Sequence, residues 1–216
     1  MSFHYSGPFT NAKAQERWSF YSLTGAPSNV YDGHYNYTYS INENAINSSG
    51  TRQIHMLEMS LSKSIEGSTL SFSGSVKNLE SHSFSGFVLV FVAENQLVDP
   101  SYPTITWNFV FRAYGLNKTL VLAGLSTDTF SNTWNIPSGV NATNIQVIAA
   151  TYDSDERDLL NGWPYAVQSV CDVCGRSVAV PEFPDMWAWL FVITSASMAI
   201  VLLARKTLRT NKMKPA

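Results

Sequence analysis

The sequence predicts a mainly β protein, an antiparallel β-sandwich followed by one membrane-spanning helix. Three observations carry that prediction. From Ile54 onward apolar residues recur at every second position, the period of a strand with one face buried. Some eight such stretches follow over ~120 residues, separated by Gly, Pro, Asn and Asp, with no helical spacing between them. Met186 to Ala204 carries no charged side chain, and as a helix that run approaches the ~30 Å of a bilayer's hydrocarbon core.

Residues 1–52 form a mixed segment. Thr10 or Asn11 is placed to cap a helix through AKAQERWSFYSL. Gly25 and Pro27 then break it, NVY is short and extended, Asp32-Gly33 is a hairpin turn, and HYNYTY alternates as the returning strand. The stretch YSINENAINSSGTRQ (39–53) is a weak short helix or a linker, because Asn, Ser and Gly favour turns over helix interiors.

Residues 53–173 form the β domain. Leu57, Met59 and Leu61 alternate with polar residues, Glu66-Gly67-Ser68 turns the chain, and Leu70, Phe72, Gly74 and Val76 return. GFVLVFVAE (86–94) is apolar on both faces and reads as a central strand. TITWNFVFRAY (104–114) is expected to be one strand with Trp107, Phe109 and Phe111 together in the core. KTLVLAG (118–124), TFSNTWNIP (129–137), NIQVIAATYD (144–153) and PYAVQSVCD (164–172) complete the set.

Residues 174–185 are a Pro-containing spacer, 186–204 the transmembrane helix, and 205–216 a basic tail with Arg205, Lys206, Arg209, Lys212 and Lys214. Trp187 and Trp189 suit the headgroup level, and the basic flank is retained on the cytoplasmic side, so residues 1–185 are expected outside the cell. An exported domain needs a leader with a charged start and an apolar run, and MSFHYSGPFTNAKAQERW has neither. The expectation is an N-terminally truncated chain. With 14% charged residues and a net charge of −2, the chain offers no field for nucleic acid. N-x-[ST] sequons at Asn36, Asn47, Asn117 and Asn141 suit a glycosylated surface protein.

No HExxH, G-x-S-x-G or phosphate-binding glycine loop is present, and no cofactor is expected. His4, His34, His55 and His82 are scattered along the chain. Cys171 and Cys174 stand as CDVC, but GRSVAVPEFP follows, so no long helix can lower a thiol pKa there. A small disulfide loop or idle thiols is the main reading, beside a redox pair or a metal half-site. Asp153, Asp155 and Asp158 lie in TYDSDERDLLNG, where carboxylates two apart can share calcium; the full DxDxDG pattern is missing, and a solvated acidic loop is the simpler reading.

ERWSFYSLTG, then Ala26-Pro27, then NVYDGHYN resembles the second half of a thioredoxin-like domain. That resemblance implies that Pro27 is the cis-proline, that Ala26 offers backbone hydrogen bonds to an extended substrate, and that a CxxC lies upstream. IQVIAATYD followed by YAVQSV resembles the last strands of immunoglobulin-like or fibronectin-like modules, although the Cys–Trp–Cys core of antibody domains is absent. VPEFP (180–184), the apolar run and the basic tail are similar to the Pro-Glu-Phe anchors of archaeal surface proteins. Together these imply a single-pass, membrane-anchored extracytoplasmic protein that binds or scaffolds a protein or glycan partner. The alternative is a membrane-tethered thiol–disulfide oxidoreductase.

Overall fold

The β strands form where the alternation predicts them, and their pairing is antiparallel throughout. The structure is a computed structural model, and it describes residues 4, 8–21, 23, 29–31, 36–38, 42–157 and 164–172. The chain divides into two units, Met1–Ala179 and Val180–Ala216. The second lies wholly outside the described residues, as do Ala26, Pro27, Asp158, Cys174 and the predicted span. Among the described residues, no helix is long and apolar enough to cross a membrane.

Helix α1 (Ala12–Phe20) starts at Asn11, whose side chain accepts the Ala14 N–H. Strands β1 (Asn29–Tyr31) and β2 (Asn36–Thr38) pair as the predicted hairpin. Helix α2 (Glu43–Gly50) is capped in the same way by Asn42. Then come β3 (Leu57–Glu66), β4 (Thr69–Asn78), β5 (Phe84–Glu94), β6 (Leu97–Asp99), β7 (Tyr102–Trp107), β8 (Val110–Leu122), β9 (Thr127–Asn135), β10 (Ile145–Arg157) and β11 (Pro164–Cys171). The β3–β4 hairpin turns at Gly67, whose φ of 58° is one that L side chains rarely adopt.

Two sheets carry the domain. One is four-stranded, in the order β11-β10-β5-β8; the other is three-stranded, in the order β3-β4-β9. A single apolar cluster draws on both: Leu57, Met59, Leu70, Phe72 and Phe130 from the smaller sheet, and Phe84, Val88, Val90, Leu120 and Val147 from the larger. The apolar residues at alternate positions of these strands enter that cluster, as the period of two requires. The sheets are also tied along both margins. Lys118 Nζ lies 2.7 Å from Asp128 Oδ2, and Asn132 Nδ2 donates to the Gly115 carbonyl at 2.8 Å. On the other side Lys63 Nζ lies 2.8 Å from the buried Asp172 carboxylate and also donates to the Ile145 carbonyl.

The apolar run 86–94 does lie centrally, between β10 and β8, and it is buried on both faces. Its outward side chains Leu89 and Phe91 join Phe111, Ala150 and Tyr152 in a second cluster, which receives Ala14 of α1. Arg17 of α1, also buried, donates to the Tyr152 hydroxyl at 3.1 Å and to the Tyr21 hydroxyl. Burial there pushes the Tyr21 hydroxyl well above the ordinary tyrosine range.

Two expectations fail locally. Residues 104–114 are not one strand: the ladder breaks between Trp107 and Val110, and Phe109 adopts φ 56°. Asn95 Oδ1 accepts the Phe109 N–H, and Asn108 Oδ1 accepts the Gln96 N–H, so two asparagines pinch off a small β6–β7 hairpin. Phe109 is consequently 41% exposed and Trp107 only half-buried, while Phe111 alone of the three is in the core. Conversely, residues 115–117, expected as a loop, continue β8 through a bulge.

Candidate functional site

The larger sheet packs its inner face and, around Leu89, Phe91, Ala150 and Tyr152, part of its outer face, while Asn117 and Val121 of β8 stay exposed. The smaller sheet leaves its outer face open, and the register determines what stands there. Ser60 pairs with Ser75, Ser62 with Ser73 and Ser64 with Ser71; across β4 the same rows continue to Thr129, Ser131 and Thr133. Three rows of three hydroxyls result, all exposed or half-exposed. Their pitch is that of the sheet, about 4.8 Å between strands and about 6.7 Å along them. Ser60 and Ser75 hydroxyls lie 2.7 Å apart, and those of Ser62 and Ser73 3.1 Å apart. Shallow troughs run over this face, lined by Ser62, Ser64, Ser71, Ser73, Ser131 and Thr133 in one case. Each hydroxyl can donate or accept, so the surface suits a polar, hydroxyl-rich or amide-rich partner.

A second group gathers at one end of the domain. His55 precedes β3, whereas Glu80 and His82 lie in the β4–β5 connection. Glu80 Oε2 is 2.7 Å from His55 Nδ1 and 3.0 Å from His82 Nε2. The other nitrogen of His55 is 3.5 Å from Asp153 Oδ2, and its ring packs edge-on against Phe84 at 5.2 Å. The connection is held rigidly. Asn78, fully buried, donates to the His82 carbonyl at 2.7 Å and accepts the Glu80 N–H at 3.0 Å. The Leu79 N–H donates to Met56 and the Leu125 N–H to Glu80. Gly124 abuts Ser81, and a Cβ there would fall on the Ser81 carbonyl. The sequence gives no hint of this grouping, since the two histidines are far apart and the loop alone unites them.

Of the described residues singled out from sequence, Asp153 borders this group and the others sit elsewhere. Asp153 is almost fully buried; its Oδ1 accepts the Asp155 and Glu156 N–H groups at 2.7 and 3.1 Å, and its other oxygen faces His55. Asp155 is exposed. Cys171 ends β11 and is disulfide-bonded, and the chain has one other cysteine, Cys174. Asn47, Asn117 and Asn141 are exposed, on α2, on β8 and at the cap of a short 3-10 turn (Ala142–Asn144). The Asn141 side chain accepts both the Thr143 N–H and hydroxyl. The fourth sequon, Asn36, is in β2.

No protein-family model and no curated protein sequence matches the chain. Among solved structures, it is similar to β-glucosidase from Kluyveromyces marxianus in complex with glucose, at 13% identity and TM-score 0.32, over 54% of this chain and 15% of that one. The selenomethionine-labelled form of that enzyme matches at 12% identity and TM-score 0.32, over 57% and 14%. The chain thus spans about one seventh of the enzyme's length, and a likeness of this size bears on neither fold nor function.

Proposed function

We propose that the chain is the extracytoplasmic part and anchor of a single-pass membrane protein that binds or scaffolds a polar partner at the cell surface. Its frame is an immunoglobulin-like β-sandwich. Support for the frame comes from the strand order and the shared core. Taking β3, β4, β5, β8, β9, β10 and β11 as seven successive strands, the first, second and fifth form one sheet, and the third, sixth and seventh lie in the other. That is the partition of an immunoglobulin-type sandwich, except that the fourth strand joins the third rather than the first sheet. The ties from Lys63 to Asp172 and from Lys118 to Asp128 fit two sheets stacked with closed margins.

Support for the anchor comes from the uncharged run Met186–Ala204 with its basic tail, which assigns residues 205–216 to the cytoplasm and the β domain to the outside. The exposed sequons at Asn117 and Asn141 agree with that side, and the VPEFP motif agrees with an archaeal envelope. In this reading α1 serves as a cover for the larger sheet, because Ala14 and Arg17 spend their side chains there.

The observation that carries the binding function is the open lattice of Ser60, Ser62, Ser64, Ser71, Ser73, Ser75, Thr129, Ser131 and Thr133 on a domain whose other sheet is covered around Phe91 and Tyr152. A glycan or a polar polypeptide surface is the class of partner it fits. The test is binding of the full chain, in lipid nanodiscs, to an immobilised glycan panel and to a second population of itself. Saturable binding that Ser73→Lys weakens about tenfold or more supports the assignment. Equal binding by parent and variant contradicts it.

A further inference from the structure

We infer that His55, Glu80 and His82 form a binding site for a divalent transition-metal ion of the Zn²⁺ type. Each of the three offers one ligand atom within 4.8 Å of the other two, and Glu80 Oε2 lies 2.7 Å from His55 Nδ1 and 3.0 Å from His82 Nε2. Two imidazoles and one carboxylate are a zinc donor set; with bonds of about 2.0–2.1 Å, a tetrahedral ion needs its ligand atoms about 3.3 Å apart. The observed separations of 2.7 and 3.0 Å need to widen only slightly, into the space an ion would take. Nitrogen donors select against Ca²⁺ and Mg²⁺, which prefer all-oxygen shells.

The surroundings fit a metal better than a bare ion-pair cluster. When His55 ligates through Nδ1, its Nε2 lies 3.5 Å from the Asp153 carboxylate, which is 2% exposed. A buried carboxylate behind a ligating imidazole fixes the tautomer and raises ligand basicity. Glu80 is held by its own backbone at both ends, through Asn78 and Leu125, and His55 is braced by Phe84. His82, at 63% exposure, opens the site to solvent. Three protein ligands leave a fourth position for water or for a side chain of a partner. The ion would also clamp the segment before β3 to the β4–β5 connection, so binding stabilises the folded domain.

The test uses the full chain in detergent with Zn²⁺, Co²⁺ and Mg²⁺ as probes. One Zn²⁺ per chain by calorimetry, a rise in Tm with Zn²⁺ but not Mg²⁺, and the visible absorption of four-coordinate Co²⁺ are expected. His82→Ala, at an exposed position that the fold does not need, should weaken Zn²⁺ affinity about tenfold or more and abolish the Co²⁺ band. Asp153→Asn, with all three ligands kept, should weaken it about 10–100-fold. No Zn²⁺-dependent shift at millimolar ion overturns the proposal. So does a shift and Co²⁺ spectrum that His82→Ala and His55→Gln leave unchanged, because the ion then sits elsewhere.

Discussion

On the larger sheet, the outward residues of β5 and β10 include Leu89, Phe91, Ala150 and Tyr152, and α1 lies over them. On the smaller sheet, the outward residues are Ser71, Ser73, Ser75 and their row partners, exposed or half-exposed. Both sheets send apolar residues at alternate strand positions into one shared core. The difference therefore lies in what the second face is asked to do. A face built of Phe, Leu and Tyr must be covered, since each such side chain gains roughly 1.5–3 kcal/mol from burial. A face built of serine and threonine gains little from cover and stays available. The first is structural; the second is the face we propose for a partner.

That contrast can be broken at its shared base first. Phe72→Ala, at a core position 2% exposed between the sheets, should cost about 3–5 kcal/mol in urea unfolding and affect both sheets at once. Next comes the cover itself. Ala14 is completely buried in the outer cluster, so Ala14→Glu should cost roughly 1–3 kcal/mol and raise amide exchange in α1, while β3 and β4 keep their protection. The smallest effect sharpens the picture at the margin of the covered side. His4 packs edge-on against Trp107 at 5.0 Å, and burial, with Arg112 nearby, holds its pKa below 6.5. The unfolded chain binds that proton more readily, so the His4 contribution is present above pH 6.5 and is lost as pH falls through the lower folded value. His4→Phe keeps the ring contact and should flatten the dependence of Tm on pH between neutral and mildly acid conditions; an unchanged slope would remove His4 from the account.

Much of the strand pattern was legible because burial on one face imposes a period of two, which β3 and β4 follow, whereas β5, buried on both faces, was legible from its unbroken apolar run. The break at Phe109 was not, because it is made by side-chain hydrogen bonds from Asn95 and Asn108 while the alternation of Trp107, Phe109 and Phe111 runs on unbroken. Gly115 reads as a turn residue, yet it lies within β8 where the Phe72 ring comes against the backbone; space for that ring, not a turn, accounts for it. The hydroxyl lattice is visible as serines alternating in β3 and β4, but its third column depends on β9 pairing with β4, a non-local register. The pairing of His55 with His82 depends on a loop returning to the start of an earlier strand, and no local spacing encodes it. Pro27 and the span, on which two of the resemblances turn, lie beyond the described residues, whereas the strands of the immunoglobulin-like resemblance lie within them.

One measurement joins the orientation of the domain to the use of its open face. Ser73→Cys and Val121→Cys each place a thiol at an exposed position of β4 or β8, the latter 77% exposed on the larger sheet. A membrane-impermeant maleimide is applied to intact cells displaying the full chain and, separately, to the purified chain. Both positions are expected to label from outside, and Ser73→Cys alone to label more slowly on cells than when purified, because the proposed partner covers that face. Labelling that requires permeabilised cells, or equal rates at Ser73→Cys in both settings, would contradict the proposal.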